Sequence, residues 1–393
     1  MIRVNGYPQH YEWGSRTLIP RFLGEPDSPI PVAELWFGSH PLGPAAAGNG
    51  QNLRDLIEED PRQTLGPSTQ YAFGNTLPFM MKLIAPAAPL SLQVHPRKSQ
   101  AQSGYLREDA ADIPLGAPHR IYRDANHKPE LLYAIEEFVA LVGFTVRRQA
   151  RTNLEGLDSP LAGKLSRRLL RATGRGVRPV VSWLLDPEYG PNGNEITEFA
   201  RDCENRLNSG QSPCPAVDQT VANLAAAHPQ DPGIAVAFLM NPVALKPGEA
   251  IFVPPGTLHS YQSGLGLELM ANSDNVIRAG LTPKHIDREH LVEIGNFNAV
   301  PPIRVAPEHP LTQISRFYVP VEDFELTVVT LENETVPVGG TGPRLAICID
   351  GEISIMTRER EITLKRGECV FVPDAEGPTI TSGTGTLAQC SAP

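Results

Sequence analysis

The chain of 393 residues is poor in positive charge and in long apolar runs, and each shortage excludes a class of protein. It has 34 Lys and Arg against 44 Asp and Glu, and the resulting net charge of −10 at pH 7 disfavours nucleic acid or an anionic membrane as its main partner. No uninterrupted run of about 18 apolar residues occurs, so no membrane span is predicted. The first residues lack the basic-then-apolar pattern of a secretory signal, and we therefore expect a cytoplasmic protein.

Cysteine is also scarce, and its distribution limits the metal sites that the chain can form. The number of cysteines is odd and none forms a Cys-x-x-Cys pair, so free thiols are expected. A zinc site built from thiolates is not expected either, and any metal must be bound by nitrogen and oxygen. The five cysteines are Cys203, Cys214, Cys348, Cys369 and Cys390.

Proline and glycine are abundant, with 39 and 34 residues, and they separate short runs of Val, Ile, Leu and Phe. This arrangement predicts short strands joined by turns. Residues 324–331 and 345–355 are rich in β-type residues, and the second run contains Asp350-Gly351, a dipeptide typical of tight hairpins. We therefore expect the C-terminal quarter to be all-β, with a hairpin turn at Asp350-Gly351.

The middle of the chain has a helical periodicity. Leucines recur every four residues from Leu157 to Leu169, and an apolar stripe at helical spacing runs from Ile196 to Leu207. Stripes of this period usually form the face of a helix that packs on a core. Residues 150–228 are therefore predicted to be a helical insert that packs on the β core.

A repeated segment indicates two related β units. KPGEAIFVPPGTLH at 246–259 is matched in register by KRGECVFVPDAEGP at 365–378, where Pro378 takes the place of His259. The spacing of Gly, Pro, Gly and His in the first copy is similar to the second motif of cupin β-barrels. The predicted fold is therefore mainly β.

Two cupin-like jelly-roll barrels and the helical insert account for the whole chain. We expect a catalytic unit from residues 1–149 and 229–300, the insert from residues 150–228, and a degenerate C-terminal unit from residues 301–393. A small barrel of this kind holds its ligand in its mouth, where a histidine such as His259 would point.

Four residues form a candidate metal site. Gln93 and His95 are two apart, so on a strand both side chains leave the same face. Glu130 enters another predicted strand, and His259 follows a Pro-Pro-Gly corner. Two imidazoles, a carboxylate and an amide oxygen suit zinc better than calcium or copper(I), while iron and manganese stay open.

Charged residues around these ligands predict a polar, anionic substrate. Each of them taken alone is more simply a solvated charge or half of an ion pair. Tyr261 and Glu268 are either substrate-binding groups or ordinary polar residues of a strand. The charged candidates are Lys82, His127, Lys128, Asp274, Arg278 and Lys284.

The motifs together resemble the type I phosphomannose isomerase family of the cupin superfamily. The matching segments are YEWGS at 11–15, AELWFGSHPLGPA at 33–45, LPFMMKLI at 77–84, LSLQVHP at 90–96, NHKPEL at 126–131 and the long block at 247–287. The resemblance implies a zinc-dependent enzyme, with one Zn2+ per chain, that interconverts mannose 6-phosphate and fructose 6-phosphate. It further implies a monomer whose partner is a small sugar phosphate.

The resemblance also implies roles for individual residues. The family's zinc ligands fall on Gln93, His95, Glu130 and His259, and its active-site arginine falls on Arg278. Isomerisation through a cis-enediolate requires a base at C2, for which Lys128 is the candidate, and an acid or base for ring opening, for which His127 is the candidate. Arg278 would stabilise the enediolate. The candidates for phosphate binding are Lys284, Lys82 and Ser91.

Two other functions stay open on the residues alone. The same ligands could hold iron(II) in a cupin oxygenase, although the cations would then have no role. A sugar-binding cupin without catalysis is the second alternative, since the C-terminal copy has already lost its histidine.

Overall fold

A computed structural model describes residues 1–174, 176–283 and 286–392 and contains nineteen strands and eleven α-helices in that part of the chain. The strands are β1 Ile2–Asn5, β2 Tyr7–Gln9, β3 Glu34–Phe37, β4 Ala46–Ala47, β5 Phe79–Ile84, β6 Leu92–Val94, β7 Glu130–Phe144, β8 Met240–Leu245, β9 Ala250–Val253, β10 His259–Ala271, β11 Ile277–Gly280, β12 Ile303–Val305, β13 Glu308–Leu311, β14 Ile314–Phe317, β15 Glu325–Pro337, β16 Arg344–Met356, β17 Glu361–Lys365, β18 Cys369–Val372 and β19 Ile380–Ser391. The helices are α1 Leu18–Leu23, α2 Leu53–Glu59, α3 Pro61–Phe73, α4 Lys98–Ala110, α5 Arg147–Asn153, α6 Pro160–Arg171, α7 Arg178–Leu184, α8 Gly193–Asn208, α9 Pro215–Ala227, α10 Gly233–Phe238 and α11 Arg288–Ile294.

The strands form two antiparallel sheets, which confirms the mainly β prediction. The first sheet has the order β12-β9-β7-β10-β5-β3-β2, with β6, β8 and β11 paired at its margins. The second has the order β13-β14-β15-β19-β16-β18-β1-β4, with β17 beside β16. The first sheet carries the candidate metal ligands and the second contains the predicted C-terminal unit.

Two long strands, β7 and β10, lie side by side in the first sheet. β7 and β10 pair from Glu130↔Met270 to His259↔Val142, with two register shifts between Tyr261 and Gly266. Irregularities of this kind increase the bend and twist of a strand. As a result, Glu130 and His259 lie at opposite ends of the pairing in register, and yet their side chains meet in space.

The helical insert packs on the strands that carry the site. Helix α6 buries Leu161, Leu165 and Leu169, three of the four predicted leucines, and α8 buries the predicted stripe from Ile196 to Cys203. These side chains share one hydrophobic cluster with Leu92 and Ile277 of strands β6 and β11. The stripes are therefore core faces, as their period predicts.

The repeated segments occupy corresponding places in the two sheets. β9 pairs with β7 and β12, while β18 pairs with β16 and β1. The glycine that precedes each strand has a left-handed backbone, with φ of +89° at Gly248 and +87° at Gly367. Residues 2–5 lie in the second sheet, a feature that the predicted division into three parts does not include. That division otherwise stays a prediction.

The prediction of a hairpin turn at Asp350-Gly351 is wrong. Strand β16 continues through both residues with a register shift between Cys348 and Asp350, and the chain turns only between Met356 and Glu361. Gly351 has φ of +73° and lies against the Thr384 carbonyl oxygen of β19. The dipeptide forms a bulge in a long strand, because pairing of both residues with β19, and of the residues from Glu352 onward with β17, outweighs its turn propensity.

Two simpler expectations concern thiols and membranes. All five cysteines are free in the structure. Among the residues that are described, no helix is both long and apolar enough to cross a bilayer.

Gly351→Ala should destabilise the protein by about 3 kcal/mol, because alanine is strained at this φ and its Cβ would lie 2.1 Å from the Thr384 oxygen. Gly210→Ala is the matched control, since Gly210 has φ of +70° but no atom within 4 Å of its Cβ position. Its cost should be only about 1 kcal/mol. Urea unfolding measures both, and equal losses would contradict the close approach at Gly351.

Candidate metal centre and active site

Three buried side chains of the first sheet converge on one point. The ligand atoms of His95, Glu130 and His259 all lie within 4.8 Å of one another. His95 Nε2 is 3.0 Å from Glu130 Oε1, and His259 Nε2 is 3.2 Å from Glu130 Oε2. These residues come from three distant segments of the chain, and all three were predicted as ligands.

The hydrogen bonds of the two histidines show what this point can hold. Nδ1 of His95 donates to the Asn275 carbonyl oxygen at 2.7 Å, and Nδ1 of His259 donates to the Thr257 carbonyl oxygen at 3.0 Å. In a neutral ring each Nε2 then carries a lone pair, and both lone pairs face the carboxylate of Glu130. Neither Nε2 has a hydrogen-bond partner. A cation between them is the arrangement that removes this repulsion, so the residues fit a metal ion.

The charges of the centre are consistent with a divalent ion. Burial and the nearby Lys128 ammonium lower the pKa of His95 to about 4, so its ring is neutral near pH 7. Burial alone would raise the pKa of Glu130, but the Lys128 ammonium holds it well below its usual range. One carboxylate and two imidazoles are a common ligand set for zinc.

The strand register places Gln93 and Arg278 beside His259 of the centre. Gln93 pairs with His259 of β10 on one side and with Arg278 of β11 on the other. Residues directly opposite one another in antiparallel strands project from the same face. The three side chains therefore share a face, and the role of Gln93 as a fourth ligand stays a prediction.

Tyr261 and Asn275 orient the ligands. The buried Tyr261 hydroxyl donates to Glu130 Oε2 at 2.9 Å. Asn275 is fully buried, and its side chain bonds the backbone at Arg123, Asp124 and Asn126 while its carbonyl accepts from His95. Groups of this second layer fix the tautomer and direction of a ligand.

A buried ion-pair cluster lies on the same face of the sheet. Lys82 pairs in register with Glu268 and with Trp36, and its Nζ lies 2.5 Å from Glu268 and 3.8 Å from Glu34. Burial alone would lower the pKa of Lys82, but the two carboxylates raise it above its usual value. Lys82 is therefore a permanent cation and is unsuited to act as a base.

A residue next to the second sheet contacts the site. His127 Nε2 lies 2.9 Å from the carboxylate of Asp323, a residue that is 4% exposed and precedes β15. Lys128 follows His127 directly, and its Nζ is 3.1 Å from Glu130 Oε1. The segment that bears both predicted proton-transfer residues thus touches the centre on one side and the C-terminal unit on the other.

Sequence comparisons match the chain to phosphomannose isomerases. The description "Phosphomannose isomerase type I, catalytic domain" matches residues 1–147, and "Mannose-6-phosphate isomerase, cupin domain" matches residues 313–391. The mannose-6-phosphate isomerase of Escherichia coli (strain K12) is 35% identical over 391 residues, which cover 97% of each chain. That of Bos taurus is 28% identical and covers 93% of this chain and 91% of its own.

A solved structure extends the likeness to the whole fold. Mannose 6-phosphate isomerase from Salmonella typhimurium, bound to its substrate fructose 6-phosphate and to zinc, matches with a TM-score of 0.90 and 34% identity. The match covers 100% of this chain and 99% of that chain. The chain belongs to the type I phosphomannose isomerase family.

Three predicted residues of this phosphomannose isomerase family member have no contact with the three metal ligands among the contacts described, or are not described at all. Asp274 forms an ion pair with Arg123 at 3.6 Å, and Ser91 is half-buried two residues before Gln93. Lys284 lies outside the described residues. The roles of Asp274, Ser91 and Lys284 as substrate-binding residues stay predictions.

A cleft of about 740 Å³ opens beside Asp274. His40, Lys98 and Arg123 are among its polar lining, and Phe73 is among its apolar lining. Asp274 directly precedes the residue whose carbonyl oxygen accepts the hydrogen bond from His95, so the cleft borders the metal centre along this loop.

Several residues of the site were not predicted from the sequence. Asn275 acts through its backbone carbonyl, for which no side-chain pattern gives a signal. Asp323 lies 196 positions along the chain from its partner His127. Glu34 and Trp36 lie two apart on β3, so their side chains leave the same face, but this alternation does not by itself indicate a site.

His259→Ala should lower metal affinity by at least about 100-fold, because the change leaves His95 and Glu130 of the three buried ligands. Metal content after desalting, measured by plasma emission spectrometry, reports the loss. His228→Ala is the control, since His228 ends α9 away from the ligands. A His259→Ala protein that retains one metal ion per chain would contradict the ligand set.

Proposed function

We propose that this protein interconverts D-mannose 6-phosphate and D-fructose 6-phosphate with one bound zinc ion. The observation that carries the proposal is the buried His95, Glu130 and His259 centre beside Arg278, in a chain of this family. Full-length relatives named for this activity support it, as do the sugar phosphate and zinc bound in the Salmonella structure. Cupin oxygenase and sugar-binding cupin, the two alternatives from the sequence, have no comparable support.

The reaction moves protons between adjacent carbons and oxygens of the sugar. After ring opening, a base removes a proton from C2 and one is returned at C1, through a cis-enediolate. Zinc, when bound, supplies a Lewis acid that polarises a sugar oxygen. The protein must add proton transfer, charge stabilisation and binding of the phosphate.

Proton transfer is assigned to Lys128 and His127. Nζ of Lys128 is 3.1 Å from the carboxylate of Glu130, which places this side chain at the edge of the centre. The contact of His127 with Asp323 fixes the orientation of its ring, so that Nδ1 is the nitrogen left for the sugar. We assign removal of the C2 proton to Lys128 and ring opening to His127.

Stabilisation of the enediolate is assigned to Arg278. Burial and the neighbouring Arg123 lower the pKa of Arg278, while Asp274 opposes them, but a guanidinium remains charged at any physiological pH. No ion pair of Arg278 occurs among the residues described, so its charge is available to an oxyanion. A fixed charge in a partly desolvated site acts strongly on charge that develops during the reaction.

For phosphate binding, the ion pairs of Lys82 make it a weaker candidate than Ser91 and Lys284. Lys82 is held between Glu268 and Glu34, so much of its charge is neutralised within the protein. We therefore assign it to the electrostatics of the centre rather than to the phosphate. Ser91 and Lys284 stay the proposed phosphate ligands.

We also propose that the protein is a monomer and that it is located in the cytoplasm.

Purified protein should convert mannose 6-phosphate to fructose 6-phosphate, and chelation should remove the activity until zinc is restored. In deuterated water the product should gain deuterium at the transferred position, because a proton on a basic side chain exchanges with solvent. Mass spectrometry of the product measures this. Turnover with complete retention of the C2 hydrogen would contradict the enediolate route, and absence of turnover would contradict the function.

Arg278→Ala should lower kcat by about 100-fold with little change in KM, because the charge acts mainly on the developing enediolate. Arg201→Ala is a suitable control, since Arg201 is exposed on α8. Steady-state kinetics with mannose 6-phosphate measure both variants. An effect confined to KM would move Arg278 from charge stabilisation to substrate binding.

A further inference from the structure

A second cavity lies in the helical insert and has the chemistry of an anion site. It has a volume of about 500 Å³, within the range of about 300–1,000 Å³ that is usual for small-molecule sites. None of its lining residues is acidic, in a chain whose net charge is −10. The lining residues are Lys164, Arg167, Arg168, Arg171, Ala172, Pro179, Val180, Trp183 and Tyr189.

Most of the positive charge of this pocket has no partner in the protein. Lys164 is paired with Glu195 at 2.5 Å. Arg167, Arg168 and Arg171 form no ion pair or side-chain hydrogen bond with any residue of the three described ranges. Three exposed guanidinium groups therefore border one cavity without a protein partner for their donors.

The spacing of these residues costs stability in the free protein. Lys164 and Arg168 are four apart on α6, as are Arg167 and Arg171, and like charges at this spacing repel each other. The favourable interaction of a cation with the C-terminal end of a helix reaches only its last turn, so it accounts for Arg171 and Arg168 but not for the other two. A bound anion would relieve the repulsion of all four.

The walls of the pocket are held in place. The Arg168 guanidinium stacks on the Trp183 ring at 4.0 Å from its centroid, an arrangement that orients its N–H groups sideways. Trp183 Nε1 in turn donates to the Tyr189 carbonyl oxygen at 2.7 Å. Arg147 donates to the carbonyl oxygens of Ala172 and Gly174, which secures the end of α6.

One aromatic ring at the pocket is open to a ligand. Trp183 is only 9% exposed and its face is taken by Arg168, but Tyr189 is 70% exposed. An exposed ring beside a cluster of arginines can stack on a flat base while the arginines bind phosphates. A phosphate alone would leave the ring unused.

We propose that the cavity between α6, α7 and Tyr189 binds a nucleoside diphosphate, with the phosphates on Arg168 and Arg171 and the base on Tyr189. The site is separate from the metal centre in its residues, since none of the nine lining residues is a candidate for the isomerase reaction. The proposal therefore does not depend on the function proposed above.

Isothermal titration of the full-length protein with ADP tests the proposal. The double variant Arg168→Gln/Arg171→Gln should bind ADP at least about tenfold more weakly, because two charged donors to phosphate are lost. Arg201→Gln, an exposed arginine of α8 outside the pocket, is the matched control and should bind as the unmodified protein does. Isomerase activity and the thermal midpoint of each variant show that the fold is intact.

Two further ligands and one further variant separate the contribution of the base from that of the phosphates. Adenosine should bind at least about tenfold more weakly than ADP, and Tyr189→Ala should reduce the affinity for ADP to that of inorganic pyrophosphate. The proposal is overturned if ADP gives no binding up to millimolar concentration, or if the arginine double variant binds as tightly as the control. Equal affinities of ADP and pyrophosphate for the unmodified protein would overturn the assignment of a nucleoside.

Discussion

The site depends on a repulsion that a cation must relieve. The two imidazole lone pairs of His95 and His259 and the carboxylate of Glu130, all on buried side chains, meet at one point. Each Nδ1 is committed to a backbone carbonyl, so neither ring can turn its donor toward the carboxylate. The surrounding structure therefore maintains three electron-rich groups at one point, and metal binding turns this cost into stability.

Strand geometry brings the three groups together. Glu130 opens β7 and His259 opens β10, and these antiparallel strands curve so strongly that the two first residues face each other. The bulges near Ser263 and Gly266 absorb the change of direction. The insert packs behind β6 and β11 and fixes the strands that carry Gln93 and Arg278. Fold and site are thus built from the same pairings.

The C-terminal unit has lost its histidine but keeps a contact with the site. Pro378 stands where the first unit has His259, so no equivalent centre can form there. Asp323, however, projects from the approach to β15 and bonds His127. The N-terminal strand β1 also joins this second sheet, where it pairs with β18. The first unit therefore contacts the second through β1 as well as through His127.

The ligand types, the two β units and the helical faces followed from the sequence, because spacing within one strand or helix is a local property. His95, Glu130 and His259 could be selected by chemistry and by resemblance to a family, and the leucines of α6 by their period. Local patterns failed at Asp350-Gly351, where pairing with β19 and the β17 ladder that starts at Glu352 carry the strand past the dipeptide. Only the tertiary structure decided that Lys82 is neutralised by Glu268, that Asn275 orients His95 and that Asp323 bonds His127, since each contact joins segments whose separation in the chain carries no signal.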